Sequence, residues 1–293
     1  MALLMSECNK RVLVLGAAGM LGNAIFRYFA GEDMYSVIGT TRSSRLIGLF
    51  PNDMQERLVS GIEINNNDAF VKLFAEVKPD VVINCIGMVK QLAEADDPLV
   101  ALPINSLFPH RLAKICNDWD SRLIHMSTDC VFTGKKGMYT EEDVTDSQDL
   151  YGVSKRLGEV DYPNAVTLRT SIIGHELNGN RSLIDWFLSQ QGSVRGYTQA
   201  VFSGLPTVTI AELIRDHVIP NPDLSGVYHV SAAPINKFTL LSLVGDIYGK
   251  EIEIIRDDSL IIDRSLDSSK FKKATGYSPA AWVDLVKMMY DFK

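Results

Sequence analysis

Short runs of β-branched and apolar residues alternate with amphipathic stretches through the first half of the chain. Arg11–Leu15 and Asp80–Ile86 have the composition of buried strands, and Leu21–Ala30 has the apolar spacing of a helix. By the same criteria, strands are predicted at Tyr35–Thr40 and Arg122–Met126, and helices at Ala69–Val77, Asn105–Asn117 and Tyr151–Val160. Because strands alternate with helices, we expect right-handed crossovers and a Rossmann-like α/β fold with a doubly wound parallel sheet.

Beyond about Val166 the alternation becomes less regular. Helices are predicted at Arg181–Gln191, Thr209–Val218, Thr239–Tyr248 and Val283–Tyr290, and strands at Gly226–Val230 and Glu251–Ile255. We interpret residues 1–170 as a nucleotide-binding Rossmann domain and residues 171–293 as a smaller C-terminal substrate-binding cap. Interleaving of the two segments is left open.

Composition and charge exclude several classes of protein. Of the 293 residues, 46% are hydrophobic and 22% are charged, which is typical of a globular protein. The net charge of -7 does not favour binding of nucleic acid, so an anionic substrate would need a local cluster of hydrogen-bond donors. The four cysteines form no CxxC pair and no apolar run is long enough to span a bilayer. We therefore expect a cytoplasmic protein that does not act at a membrane.

The strongest local motif is a glycine-rich loop between the first strand and the first helix. It runs Gly16-Ala17-Ala18-Gly19-Met20-Leu21-Gly22, with the spacing GxxGxxG. Glycines at such a turn allow the backbone to approach a pyrophosphate, whose charge lies at the helix N-terminus. The alternative is a purely structural turn, but the strand before it and the helix after it favour dinucleotide binding.

The residues that follow the second strand indicate which cofactor is bound. An NAD site would carry Asp or Glu about 20 residues after the glycines, to bind the ribose 2′-hydroxyl. This chain has Thr40-Thr41-Arg42-Ser43-Ser44 there, and no carboxylate. Thr41 and Arg42 could bind a 2′-phosphate, so NADP (as NADPH) is predicted over NAD; the alternative is a solvated arginine.

A tyrosine and a lysine with the spacing YxxxK form the candidate catalytic pair. Tyr151 and Lys155 would share one face of a helix, where the ammonium is expected to lower the pKa of the phenol. Alone, this spacing is more often an ordinary surface pair. Ser127 and Thr128, however, end a parallel strand, where a hydroxyl can donate a hydrogen bond to a substrate carbonyl.

Together these residues resemble the extended short-chain dehydrogenase/reductases that act on nucleotide sugars, and in particular the dTDP-4-dehydrorhamnose reductase family. The resemblance covers nearly the whole chain. Besides the glycine loop and Tyr151–Lys155, it includes the segments Pro79–Cys85, His125–Gly134, Leu168–Ser171 and Ser265–Phe271, together with Asn105.

The resemblance implies an oxidoreductase that uses NADPH to reduce a nucleotide-diphospho-4-keto-6-deoxysugar for polysaccharide or glycoside assembly. Tyr151 would be the proton donor, Lys155 would bind the nicotinamide ribose, and Thr128 would polarise the keto oxygen. Cofactor contacts would also come from Gly16, Gly19, Met20, Leu21, Gly22, Thr41, Arg42, Cys85, Ile86, Gly87 and Asn105. Substrate contacts would come from Met88, Thr128, Asp129, Cys130, Ile172 and Phe202.

Two positions depart from the family's pattern. Cys130 stands where related dehydratases have Glu, which argues against dehydration. The reductases usually have Tyr there, and Trp where this chain has Ile172, so a sugar other than the family's own is left open. Arg264 is predicted either to pair with Asp263 or to reach a diphosphate.

Three functions stay open at this point. The first is the reductase, and the second is an epimerase whose tightly bound cofactor returns the hydride to the same substrate. The third is a non-catalytic NADP-binding regulatory subunit. A nucleotide sugar is the expected partner in the first two. The five histidines lack metal-ligand spacing, so no metal is expected, and a homodimer is the assembly that we consider.

Overall fold

The computed structural model describes residues 9–88 and 96–293. In these residues the strands are β1 (Lys10–Leu15), β2 (Tyr35–Thr41), β3 (Leu58–Ser60), β4 (Val81–Asn84), β5 (Arg122–Thr128), β6 (Ala165–Thr170), β7 (Ile172–Ile173), β8 (Ser193–Tyr197), β9 (Ala200–Phe202), β10 (Leu205–Pro206), β11 (Gly226–His229), β12 (Ile235–Asn236), β13 (Glu253–Asp257) and β14 (Ile262–Asp263). The α-helices are α1 (Met20–Ala30), α2 (Asn52–Gln55), α3 (Asn67–Val77), α4 (Pro98–Ala101), α5 (Phe108–Asp118), α6 (Leu150–Leu157), α7 (Leu183–Ser189), α8 (Thr207–Leu213), α9 (Lys237–Tyr248), α10 (Ser269–Thr275) and α11 (Trp282–Asp291).

Seven of the described strands form one parallel sheet, in the spatial order β11-β6-β5-β4-β1-β2-β3. All four residues of β4 are buried between β1 and β5, as its apolar composition on both faces predicts. The strand order reverses between β1 and β4, so the carboxyl ends of these two strands border a crevice. The predicted Rossmann-like parallel sheet is confirmed.

The core lies on both faces of this sheet because side chains alternate along each strand. Val12 and Val14 of β1 pack in a cluster with α1 and α8, whereas Leu13 and Leu15 pack in another with α3 and α5. All four are fully buried. The helices thus cover both faces, as a doubly wound fold requires.

Residues beyond 170 contribute to the sheet and also form smaller sheets of their own. β11 pairs with β6 at the edge of the central sheet, and α8 packs on α1. β9 pairs with β12 and β14, and a third apolar cluster joins α7, α9 and α11. The division at residue 170 stays a prediction. β11 lies beyond it in the chain but belongs to the central sheet.

Several elements differ from the sequence prediction. The expected helix over Asn105–Asn117 begins earlier, with a π-helical segment at Leu102–Leu107 before α5. The expected strand over Asp80–Ile86 stops at Asn84, whose side-chain oxygen accepts a hydrogen bond from the Ile86 amide and turns the chain. The edge strand β3 and the buried strand β6 were not predicted. No helix in the described ranges has the length and apolar character needed to cross a bilayer.

Candidate active site

The glycine loop forms a tight turn between β1 and α1. Gly16 has φ +80°, a conformation that favours glycine, and a side chain at Gly22 would collide with the Gly16 carbonyl oxygen. The first turn of α1 has no acidic residue, and its N-cap, Gly19, offers no side-chain cap. The first-turn amides of α1, from Met20 to Gly22, therefore have no side-chain acceptor, which suits an anionic ligand. Leu21 packs in the core, so only its backbone could contact a cofactor.

The segment after β4 lies directly against this loop. A Cβ added to Gly16 would lie 3.2 Å from the Ile86 amide nitrogen and 3.3 Å from the carbonyl carbon of Cys85. Burial raises the pKa of the Cys85 thiol to about 12, so this cysteine is a neutral lining residue. Cys85, Ile86 and Gly87 thus border the same crevice as the glycines.

The end of β2 carries the residues predicted to select NADP. Thr41 is buried and its hydroxyl donates to the Ser43 carbonyl at 3.1 Å. Arg42 is exposed, and among the described residues it makes no hydrogen bond or ion pair. Its guanidinium is therefore free to take an anionic partner.

Lys155 is buried on the opposite side of the crevice. Its Nζ donates to the Met126 carbonyl oxygen at 2.7 Å, and a Cβ added to Gly87 would lie 3.7 Å from it. Burial lowers the pKa of Lys155 to about 8, although the Glu159 carboxylate acts in the opposite direction. The ammonium is thus held beside the end of β4.

Asn105 connects the π-helical segment to the candidate catalytic helix. Its side-chain oxygen accepts from the Met88 amide at 2.9 Å, and its side-chain nitrogen donates to Ser154 Oγ at 3.1 Å. Asn105 is 1% exposed, so it positions α6 and the segment after β4. The supporting role that the resemblance implies for Asn105 stays a prediction.

Tyr151 and Thr128 meet at the carboxyl end of β5. Asp149 caps α6 by accepting from the Gly152 amide at 2.8 Å, which places Tyr151 in the first turn. Burial raises the pKa of Tyr151, and nearby negative charges add to this, while a hydrogen bond with Thr128 acts against it. The expected lowering of this pKa by Lys155 is therefore wrong: desolvation dominates and the phenol stays protonated at neutral pH.

The two hydroxyls at the end of β5 have different partners. Ser127 Oγ donates to a Glu159 carboxylate oxygen at 2.7 Å, and that carboxylate also accepts from Arg169 at 2.7 Å and 2.6 Å. Thr128 instead shares a hydrogen bond with the side chain of Tyr151. Of the two hydroxyls considered, Thr128 is the one in the crevice.

The predicted substrate residues are only partly accessible. Asp129 is buried, and Thr128 Oγ1 donates to its carboxylate at 3.2 Å. Cys130 is half-buried, and its amide donates to Thr128 Oγ1 at 3.1 Å. Ile172 is half-buried in β7. Phe202 and Met88 are 4% and 7% exposed, so each could contact a substrate through an edge only.

Two cations face this region. Lys237 was not identified from the sequence, which left the partner of Arg264 open. Lys237 begins α9, and its Nζ lies 3.7 Å from the centroid of the Phe202 ring. Arg264 Nε donates to the Phe132 carbonyl at 2.9 Å, and its charge acts on Asp129; no ion pair with Asp263 forms. A charged residue at a helix start gives no sequence signal, since most such lysines are solvated.

Comparison with known proteins gives consistent matches over most of the chain. A family model described as the RmlD substrate binding domain matches residues 10–254. The probable low-salt glycan biosynthesis reductase Agl14 of Haloferax volcanii is 27% identical over 271 residues, 86% of this chain and 83% of that protein. Methionine adenosyltransferase 2 subunit beta of Danio rerio is 29% identical over 253 residues, 82% of this chain and 74% of that protein.

A solved structure extends the likeness to the fold. The dTDP-4-dehydrorhamnose reductase of Bacillus anthracis, in complex with NADP, superposes with a TM-score of 0.78 over 98% of this chain and 100% of its own. The two are 16% identical in sequence, so this likeness concerns the fold.

Proposed function

Because the chain belongs to the family of the RmlD substrate binding domain, we propose that it is an NADPH-dependent reductase of a nucleotide-diphospho-4-keto-6-deoxysugar. The relative from Haloferax volcanii bears the name of a reductase, and a superposable reductase structure contains NADP. Both support an oxidoreductase that acts on a nucleotide sugar.

One observation carries the proposal: the candidate residues follow one another along the carboxyl edge of the sheet. A Cβ added to Gly16 would lie 3.2 Å from the Ile86 amide nitrogen, and one added to Gly87 would lie 3.7 Å from Lys155 Nζ. Lys155 Nζ donates to the Met126 carbonyl oxygen of β5. Thr128 and Tyr151 meet at the end of that same strand. A dinucleotide lying along this edge would bring its reactive end to the two hydroxyls.

The residues present fit NADPH. The uncapped first turn of α1 and the glycines would bind the pyrophosphate, Arg42 and Thr41 the 2′-phosphate, and Lys155 the nicotinamide ribose. Bound NADPH would supply the hydride that adds to the ketone carbon.

The chain's own residues would supply orientation and the proton. Thr128 and Tyr151 would both donate hydrogen bonds to the keto oxygen, which accumulates negative charge as the carbon is reduced. Tyr151 would then transfer its proton to that oxygen, since the phenol carries its proton at neutral pH; burial raises its pKa and makes it a weaker acid, so the hydrogen bond from Thr128, which acts against this rise, would favour the transfer. Asn105 and Ser154 would keep α6 in place.

The proposal is tested with a panel of 4-keto-6-deoxysugar nucleotides and NADPH, followed by absorbance of the nicotinamide. We expect at least one of them to consume one NADPH per sugar reduced. If a substrate is converted while NADPH stays constant, the enzyme is an epimerase and the reductase proposal is wrong.

A second candidate is a regulatory subunit without chemistry, because the beta subunit of methionine adenosyltransferase 2 is 29% identical over 82% of this chain. That function would need NADPH binding but not Thr128, Tyr151 and Lys155 together. NADPH binding without turnover on the whole panel, with a rise in the activity of an added methionine adenosyltransferase, would favour it.

A further inference from the structure

Lys237 places an ammonium group beside the proposed sugar site. The residue follows β12, whose Ile235 and Asn236 pair with Phe202 and Val201 of β9. This pairing fixes the start of α9 above the Phe202 ring, and Lys237 Nζ lies 3.7 Å from the ring centroid. The lysine is half-buried. Among residues 9–88 and 96–293, its ammonium has no hydrogen-bond acceptor and no ion pair.

The groups that face Lys237 come from the other side of the crevice. Asp129 and Cys130, in the turn that follows β5, are the groups whose charges act on it, and Arg264 acts on the same Asp129. Burial lowers the pKa of Lys237 to about 8, and the Asp129 charge opposes this shift. Burial likewise raises the pKa of Asp129. The cations of the C-terminal half thus face the strand end that carries Thr128.

An ammonium in this position is only partly compensated. The face of the Phe202 ring attracts a cation, typically by about 0.5–2 kcal/mol, but it accepts none of the three N–H donors as a full hydrogen bond. A half-buried lysine with a structural role normally has a carboxylate or carbonyl partner. Lys237 has the donors of a binding site and lacks the acceptor.

We propose that Lys237 binds anionic oxygens of the substrate, supplied either by the diphosphate of the nucleotide or by a carboxylate on the sugar. This rests on the proposed function only in taking the substrate to be a nucleotide sugar: the diphosphate source fits the proposed 6-deoxysugar, whereas a sugar carboxylate would require a different sugar. The net charge of -7 attracts no anion by itself, so a local cation is needed for such a ligand. The ring of Phe202 would thus serve to position the ammonium of Lys237 at the site.

The experiment measures ligand binding by calorimetry, without turnover. The probes are dTDP, thymidine, UDP and UDP-glucuronate, and the variants are Lys237→Met, Lys237→Arg and the control Lys250→Met. Lys250 follows the end of the same helix and donates to the Leu188 carbonyl at 2.9 Å. The methionine keeps the length of the side chain and removes the charge.

If the diphosphate is the ligand, Lys237→Met should weaken dTDP and UDP binding roughly 10- to 100-fold, the usual range for a charged hydrogen bond. Thymidine, NADPH and the Lys250→Met control should be unaffected, and Lys237→Arg should restore most of the affinity. If a carboxylate is the ligand, Lys237→Met should weaken the binding of UDP-glucuronate by that factor, while the affinities for dTDP and UDP stay unchanged.

A pH series adds a readout that a structural role would not change. Consider the anionic probe whose binding Lys237→Met weakens. The affinity of the wild-type protein for it should fall between pH 7 and 9, as Lys237 loses its proton, and Lys237→Arg should remove this dependence. Asp129 and Cys130, which face the lysine, are retained in both proteins. Unchanged affinity for all anionic probes in Lys237→Met would overturn the proposal. Lysine-dependent anion binding without NADPH oxidation would instead count against the reductase function alone.

Discussion

The two ends of the proposed cofactor crevice are built in opposite ways. At the reacting end, Lys155, Asn105 and Thr128 are at most 9% exposed, and each has a protein partner. At the other end, Arg42 is exposed and has no partner among the described residues. The first end is ordered before any ligand arrives, whereas the second needs the ligand's own charge to order it.

This difference teaches where each kind of change should act. Buried, hydrogen-bonded groups hold a fixed geometry, so substitutions there should affect turnover or the stability of the fold. An exposed cation contributes through charge alone, so its loss should affect affinity and depend on salt. The predictions below test this contrast, from the largest expected effect to the smallest.

The largest effect should come from Tyr151→Phe, which removes the proposed proton donor and leaves the ring in place. Turnover should fall by roughly 100- to 10,000-fold, the range for loss of a general acid, with little change in NADPH affinity. Steady-state kinetics and a fluorescence titration measure the two quantities. Tyr162→Phe is the control, because Tyr162 is 42% exposed and contacts His110 outside the crevice. An unchanged rate in Tyr151→Phe would assign the proton to another group.

The second prediction concerns the buried ion pair beneath the reacting end. Arg169 and Glu159 have side chains that are each 8% exposed, and their contact is 2.6 Å. Arg169→Met leaves the carboxylate without its main partner, so the free energy of unfolding should fall by about 3–5 kcal/mol. Urea denaturation measures this. The control is Arg195→Met, which breaks a 3.3 Å pair whose arginine is 74% exposed, and should cost about 0–1 kcal/mol.

The third prediction concerns the exposed end. Arg42→Ala should raise the Kd for NADPH roughly 10-fold or more and leave the Kd for NADH nearly unchanged, because only NADPH carries the 2′-phosphate. Arg45→Ala, an exposed arginine four residues from the end of β2, is the matched control. The difference between wild type and Arg42→Ala should shrink at high salt. Equal losses for NADPH and NADH would place Arg42 outside the 2′-phosphate site.

Per unit of pH, the smallest effect is a pH dependence of stability that Lys155 produces. Its pKa is about 8 in the folded protein and 10.5 ordinarily, so the unfolded chain binds more protons between these values. The lysine therefore lowers stability most below pH 8, and stability recovers as pH rises, by at most about 1.4 kcal/mol per unit. Lys155→Met should make this slope shallower, and the part that remains is expected from Lys237, whose pKa burial also lowers to about 8. A slope as steep in the variant as in the wild type would show that Lys155 does not contribute to it.

Much of the sheet could be predicted because its strands are apolar on both faces. β1, β2, β4 and β5 combine buried β-branched residues with nearby glycine or helix signals. β6 was missed because its buried run includes Arg169, and only the tertiary contact with Glu159 makes that burial acceptable. Local pattern does not contain this contact.

The candidate site was predictable where spacing carries the chemistry. The glycine loop and Tyr151–Lys155 are motifs of neighbouring residues, so the sequence contains their geometry. The raised pKa of Tyr151 and the position of Lys237 depend on burial by distant segments, which no local spacing reports. Asn84, which ends β4 by a hydrogen bond to the Ile86 amide, is a local feature that could have been recognised.

The most direct test of the central claim is the fate of the cofactor's hydride. Wild-type protein is incubated with NADPH deuterated at the transferred position and a 4-keto-6-deoxysugar nucleotide, and the product is examined by mass spectrometry. We predict one deuterium on the reduced carbon of each product molecule and one NADPH consumed, with product formation and NADPH consumption slowed together in Tyr151→Phe. A product that forms without net consumption of NADPH, or no product from any nucleotide sugar, would contradict the account.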